Sequence, residues 1–170
     1  ADYVPEGAIA PNVTFRMKDT LDMGEPLDFA IAFRNISETA FDSLKLKLVI
    51  TDRNNVPHVI NLPKKKPLAA GDSILVSHII DTKDFAGANM LYLMVNPDED
   101  QQEQFLFNNF LFKGFYVKPD NYKPWLDVTF DGSHILNRDI VSSKPHIFVQ
   151  LKDDNRFLAL DDTAGMKISI

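Results

Sequence analysis

"LKLKLVI", Leu44 to Ile50, decides the fold. Leu44, Leu46, Leu48 and Ile50 recur at every second position with Lys45 and Lys47 between them. In a helix these leucines would be scattered around the circumference, whereas a half-buried strand collects them on one face and turns the lysines to water. The same period of two holds upstream, where Phe29, Ile31 and Phe33 alternate in "PLDFAIAFRN" and Val13, Phe15 and Met17 alternate with Thr14, Arg16 and Lys18. The chain is therefore read as strands from its first third onward.

Working outward, "PHVINL", "DSILVSHIID", "ANMLYLMVNP" and "FLFNNFLFKGFYV" continue the pattern less regularly. Between them lie turn-forming stretches: "TDRNN" (Thr51 to Asn55), "AAGD" (Ala69 to Asp72) and "NPDEDQQEQ" (Asn96 to Gln104). "TKDFAGA" (Thr82 to Ala88) has room for a single helical turn. About seven short strands in about 110 residues is the arithmetic of an all-β, immunoglobulin-like antiparallel sandwich. After Val117 comes "VKPDNYKP", whose prolines and charges are linker composition. Alternation then resumes at Leu126, Val128 and Phe130, at Ile147, Val149 and Leu151, and at Met166, Ile168 and Ile170. The expected organisation is a linker over residues 1–10, a sandwich over 11–117, a linker over 118–124 and a second small β-module over 125–170. With about fifty residues this module is small for an independent β-domain, and the chain is read as a fragment cut from a longer polypeptide.

Composition narrows the function. The 170 residues carry a net charge of -6, against a polyanionic partner, so no nucleic acid is expected. No apolar run approaches the length of a membrane helix. The chain has no cysteine, which removes disulfides, thiolate metal sites and cysteine nucleophiles. Its 45% hydrophobic content is ample for a packed core without staples.

Candidate sites are few. Asn96, Asp98, Asp100 and Glu103 offer oxygen ligands in one loop, which is suited to calcium, but the glycine and terminal glutamate spacing of an EF-hand loop are missing. The expectation is a solvated hairpin tip, with the acidic turns at Asp153, Asp154 and Asn155 and at Asp161 and Asp162 read the same way. Asn108 and Asn109 interrupt an aromatic strand and are expected to bond neighbouring backbone, with sugar binding beside the phenylalanines as the alternative. His58, His78, His134 and His146 lack metal-site spacing, and Ser142 and Ser143 lack a nucleophile-elbow context. Lys64, Lys65 and Lys66 between two prolines read as a guard on a sheet edge, with binding to an anionic surface polymer as the alternative. Trp125 is expected either to anchor the second module on the first or to enter the second core. No catalytic residue, resident metal or cofactor is expected.

Two stretches carry a resemblance. "KPWLDVTFDGSHILNRDIVSSKPHIFVQLKDDN", with Pro124, Leu126 to Gly132, Asp139 to Ser142, Pro145 and Leu151 to Asp153 in frame, resembles a segment of large Bacteroidetes surface proteins. In those proteins a gingipain-like cysteine peptidase domain, related to the type IX secretion sortase, precedes immunoglobulin-like β-modules. "FAIAFRNISETAFDSLKLKLVITD", "PLAAGDSILVSHIID" and "NPDEDQQEQFLFNNFLFKGFYV" resemble the CARDB-type adhesion module. The resemblance implies a non-catalytic structural, adhesion or spacer segment of a secreted or cell-surface, outer-membrane-associated protein of a Gram-negative bacterium. Its implied partners are other domains of the same polypeptide and a surface protein or polysaccharide. The alternative function is a carbohydrate- or calcium-binding module that uses its end loops.

Overall fold

In the computed structural model, residues 4–158 and residue 167 are described. The chain divides between Pro119 and Asp120 into two compact units.

The first unit is a two-sheet antiparallel sandwich, and the period of two is the reason. Its strands are β1 (Gly7–Ile9), β2 (Phe15–Arg16), β3 (Thr20–Asp22), β4 (Leu27–Asn35), β5 (Leu44–Thr51), β6 (Pro57–Lys65), β7 (Ser73–Ile80), β8 (Gly87–Val95) and β9 (Phe110–Lys118). One sheet is centred on β4, which pairs with β1 and β2 and with β7. The other runs β3-β9-β8-β5-β6, antiparallel except for the parallel pair β3 and β9. Leu44, Leu46, Leu48 and Ile50 all point into the core, facing Phe29, Ile31 and Phe33 of the first sheet. Val76, Ile80, Leu91, Leu93, Val95, Phe115 and Val117 fill the layer, with Phe41 set edge-on to Phe33 at 6.1 Å. Each fully buried Phe or Leu contributes roughly 1.5 to 3 kcal/mol, so this layer is expected to close without a metal or disulfide.

Three expectations are corrected. Residues 7–9, read as linker, form β1: Gly7, Ala8 and Ile9 pair with Asn35, Arg34 and Phe33. Gly7 is required there, because a Cβ would land inside the envelope of the Phe33 ring. Val13 does not share a strand face with Phe15 and Met17; it lies in a turn closed by its N–H on Ala10 carbonyl oxygen at 3.0 Å, and β2 is limited to two residues. "FLFNNFLFKGFYV" is likewise broken by a 3-10 turn, Phe107–Asn109, before β9.

The second unit holds β10 (Trp125–Phe130) and β11 (Ile147–Lys152), paired antiparallel over six positions from Trp125 with Lys152 to Phe130 with Ile147. Asp131 (φ 51°) and Gly132 (φ 83°) turn the chain after β10. The third apolar segment, Met166, Ile168 and Ile170, lies outside the described residues, as do Asp161 and Asp162.

Candidate binding surface

Alternation that buries one face of β8 and β9 must expose the other. Leu91, Leu93 and Val95 point inward, so Met90, Tyr92 and Met94 point outward. On β9, Phe115 and Val117 are core, so Phe110, Phe112 and Tyr116 face solvent. The register sets Tyr92 opposite Phe112 and Met94 opposite Phe110. The rings gather: Tyr92 and Phe112 stack at 6.3 Å with 27° between planes, and Phe110 lies 5.9 Å from Tyr92 and 6.1 Å from Phe112. Phe112 is 61% exposed. Val59, also exposed, belongs to the same outer face through Val49, which pairs with both Val59 and Tyr92. Ahead of β9, Phe105 and Phe107 lie 5.7 Å apart, and Phe107 is 80% exposed.

A polar latch holds the loop that delivers these rings. The Glu103 carboxylate accepts from Asn96 Nδ2 at 2.7 Å, Asn109 Nδ2 at 2.6 Å and the Gly7 N–H at 3.1 Å. Glu6 accepts from the backbone N–H groups of Gln104 at 2.8 Å and Phe105 at 3.0 Å and from Asn108 Nδ2 at 2.8 Å. Asn96, in the left-handed region at φ 54°, also donates to Gln101 carbonyl oxygen at 2.7 Å. Burial pushes the Glu103 carboxyl above its usual range, against the lowering effect of its three donors and with a smaller contribution from Glu6. Asn108 and Asn109 thus bond carboxylates rather than the neighbouring backbone that the sequence led us to expect. Backbone at a strand entry is already paired, while two acidic side chains bring acceptors without donors. A shallow cleft of about 170 Å³ opens beside the latch, lined by Asn96, Glu99, Leu106, Asn109, Phe110 and Met94 among others.

The four oxygen donors of the acidic loop do not converge. Asn96 and Glu103 join the latch, whereas Asp98 and Asp100 turn to Lys45, at 2.9 and 3.4 Å, and Asp100 also approaches Lys64 at 3.6 Å. The Lys45 hydrogen bond and charge hold the Asp98 carboxyl below its usual range. Among the described residues no group of three or more His, Cys, Asp or Glu side chains is placed to hold a metal ion.

The remaining residues are dispersed. His58 Nε2 lies 3.0 Å from Asp52 Oδ2, a contact that together with the Val56 and Asn54 N–H groups lowers the Asp52 carboxyl. His134 Nε2 lies 2.6 Å from Asp127 Oδ1, and His78 is on β7. Ser142 Oγ donates to Asp131 at 2.9 Å and the His146 backbone N–H donates to the same carboxylate at 2.8 Å, which lowers the Asp131 carboxyl and builds a turn. Trp125 is 57% exposed, with Lys152 Nζ 5.5 Å from its ring centroid, so it is not buried in the second core. Lys64 and Lys65 close β6, with Lys66 just beyond it.

Glu6 and Glu103 were not paired by sequence reading, since 97 residues separate them and no local pattern links them. The aromatic platform did leave a signal: Phe110 and Phe112 stand on the opposite parity to Phe115 and Val117 in one strand.

No family model and no curated protein matches the sequence. Solved structures do. The crystal structure of a CARDB domain from Pyrococcus furiosus in complex with di-metal ions is similar at 11% identity and a TM-score of 0.55, covering 69% of this chain and 97% of that one. The solution structure of that same domain gives 13% identity and a TM-score of 0.56, over 68% and 97%. A domain of a Methanosarcina acetivorans protein named as a cell-surface protein gives 14% identity and 0.50, over 67% and 92%. At these identities the likeness is one of fold, and the sandwich of this chain is an all-β, immunoglobulin-like fold of the CARDB kind.

Proposed function

We propose that the chain is a non-catalytic structural and adhesion segment of a larger secreted bacterial surface protein, in the region that follows a gingipain-like peptidase domain. The observation that carries the adhesive part is the outward platform of Tyr92, Phe110 and Phe112, continued by Phe105 and Phe107. Clustered exposed apolar side chains on a folded domain mark a contact surface. The likeness to a domain of a cell-surface protein supports the location, and the "LDVTFDG" to "LKDDN" frame supports the peptidase-linked context. Among the described residues no helix is long and apolar enough to cross a membrane. Other domains of the same polypeptide, a surface protein or a polysaccharide are the partners this reading names.

The exposed ring of Phe112 also favours a second reading, carbohydrate binding, because an open aromatic face stacks on a sugar ring. Calcium is less well supported, since Asp98 and Asp100 are paired with lysines.

The test uses cells that make the whole parent protein, tagged at the exposed turn Arg53 and Asn54. Antibody is expected to reach the tag on intact cells, and replacing Phe110 and Phe112 together by Ser is expected to keep that labelling while abolishing attachment to surface protein or polysaccharide. An unlabelled surface contradicts the location. Labelled cells whose attachment is unchanged in the double variant contradict the adhesive role.

A further inference from the structure

The two sheets leave two long edge strands, and the chain treats them differently. β6 is guarded: it carries Pro57, Pro63, Lys64 and Lys65, and its pairing with β5 slips between Leu44 and Leu46. These devices discourage a foreign strand. β7 has none of them. "SILVSHII" holds no proline and no lysine, pairs without a break along Leu27 to Arg34 of β4, and among the described residues has no partner on its other edge. Its outward side chains include Leu75, 46% exposed, and Ile79, 68% exposed.

The sequence of this open edge is self-complementary. Set antiparallel to itself about Ser77, it places Ile74 opposite Ile80, Leu75 opposite Ile79, and Val76 opposite His78. Ser73 falls opposite Asp81, a hydroxyl against a carboxylate, and Asp72 opposite Thr82, so the acids at the two ends never meet. A two-fold interface requires a patch that matches itself in this way. We propose that β7 pairs with β7 of a second copy of this chain, antiparallel and centred on Ser77, joining two β4-centred sheets into one. Backbone hydrogen bonds supply the ladder, and Leu75 and Ile79 of each copy close over the two Ser77 hydroxyls. This goes beyond the adhesive reading and stands on a different sheet from the aromatic platform.

The absence of cysteine makes the test clean. Opposed Cα atoms in an antiparallel pair lie about 4.5 to 5.5 Å apart, within disulfide range. In the 170-residue chain, Ser77→Cys is expected to oxidise to a covalent dimer of twice 19.2 kDa several-fold faster than Ser73→Cys, which this register sets against Asp81. Sedimentation equilibrium from micromolar to millimolar chain is expected to show a dimer that Ile79→Lys abolishes, with unchanged melting of the monomer because Ile79 is outside the core. The proposal is overturned by a chain that stays monomeric throughout, by equal cross-linking at Ser73→Cys, or by a dimer that survives Ile79→Lys and is lost in Phe112→Ser.

Discussion

Glu103 is the side chain whose chemistry reports on the fold, because it is half-buried beneath the loop that carries the aromatic rings. Folding raises its pKa above the ordinary 4.5, so the neutral form is favoured in the folded state. The stability it contributes is complete below the unfolded value and is lost as pH rises through the folded one. Wild type is therefore expected to lose stability relative to Glu103→Gln as pH rises from below 4.5 towards neutrality, read by urea melts at each pH. The lowered carboxyls Asp52, Asp98 and Asp131 act in the opposite direction, but they are common to both proteins and cancel in the difference. Parallel curves would show that the latch does not hold Glu103 as described. Asn96→Ala removes two donors and one acceptor from the same latch and is expected to cost about 1 to 3 kcal/mol in the same assay. An unchanged midpoint would place the loop's stability elsewhere.

Among the elements, β4 is buried along almost its whole length, whereas β9 turns Phe110, Phe112 and Tyr116 outward. Phe33→Ala in β4 removes a fully buried ring and is expected to cost about 3 to 5 kcal/mol. Phe112→Ala in β9 removes an exposed one and is expected to change stability by less than about 0.5 kcal/mol. Equal losses in chemical denaturation would mean that the platform is a second core rather than a surface. The strand faces of β4 and β5 were legible in the sequence because their inward residues alternate without a fault from Phe29 to Phe33 and from Leu44 to Ile50. Less was legible where backbone conformation and distant partners decide. β1 depends on Gly7 fitting beside Phe33, the break before β9 depends on Glu6 and Glu103, and neither influence is local in sequence. The acidic loop showed its ligand types but not their allegiance, since Lys45 and Lys64, which claim Asp98 and Asp100, lie on other strands.

At the scale of the whole molecule, the first unit buries a core of its own between its two sheets, and a layer of that kind is expected to stand without a bound ion. Calcium added to the full chain is expected to leave the thermal midpoint where it is, because a ligand held by the native state raises it by mass action and the loop carboxylates are already paired. The most direct measurement is urea unfolding of residues 4–119 alone, with and without a chelator. One cooperative transition, unmoved by the chelator, is the result this account predicts. An unfolded fragment, or a midpoint that falls when metal is removed, would contradict it.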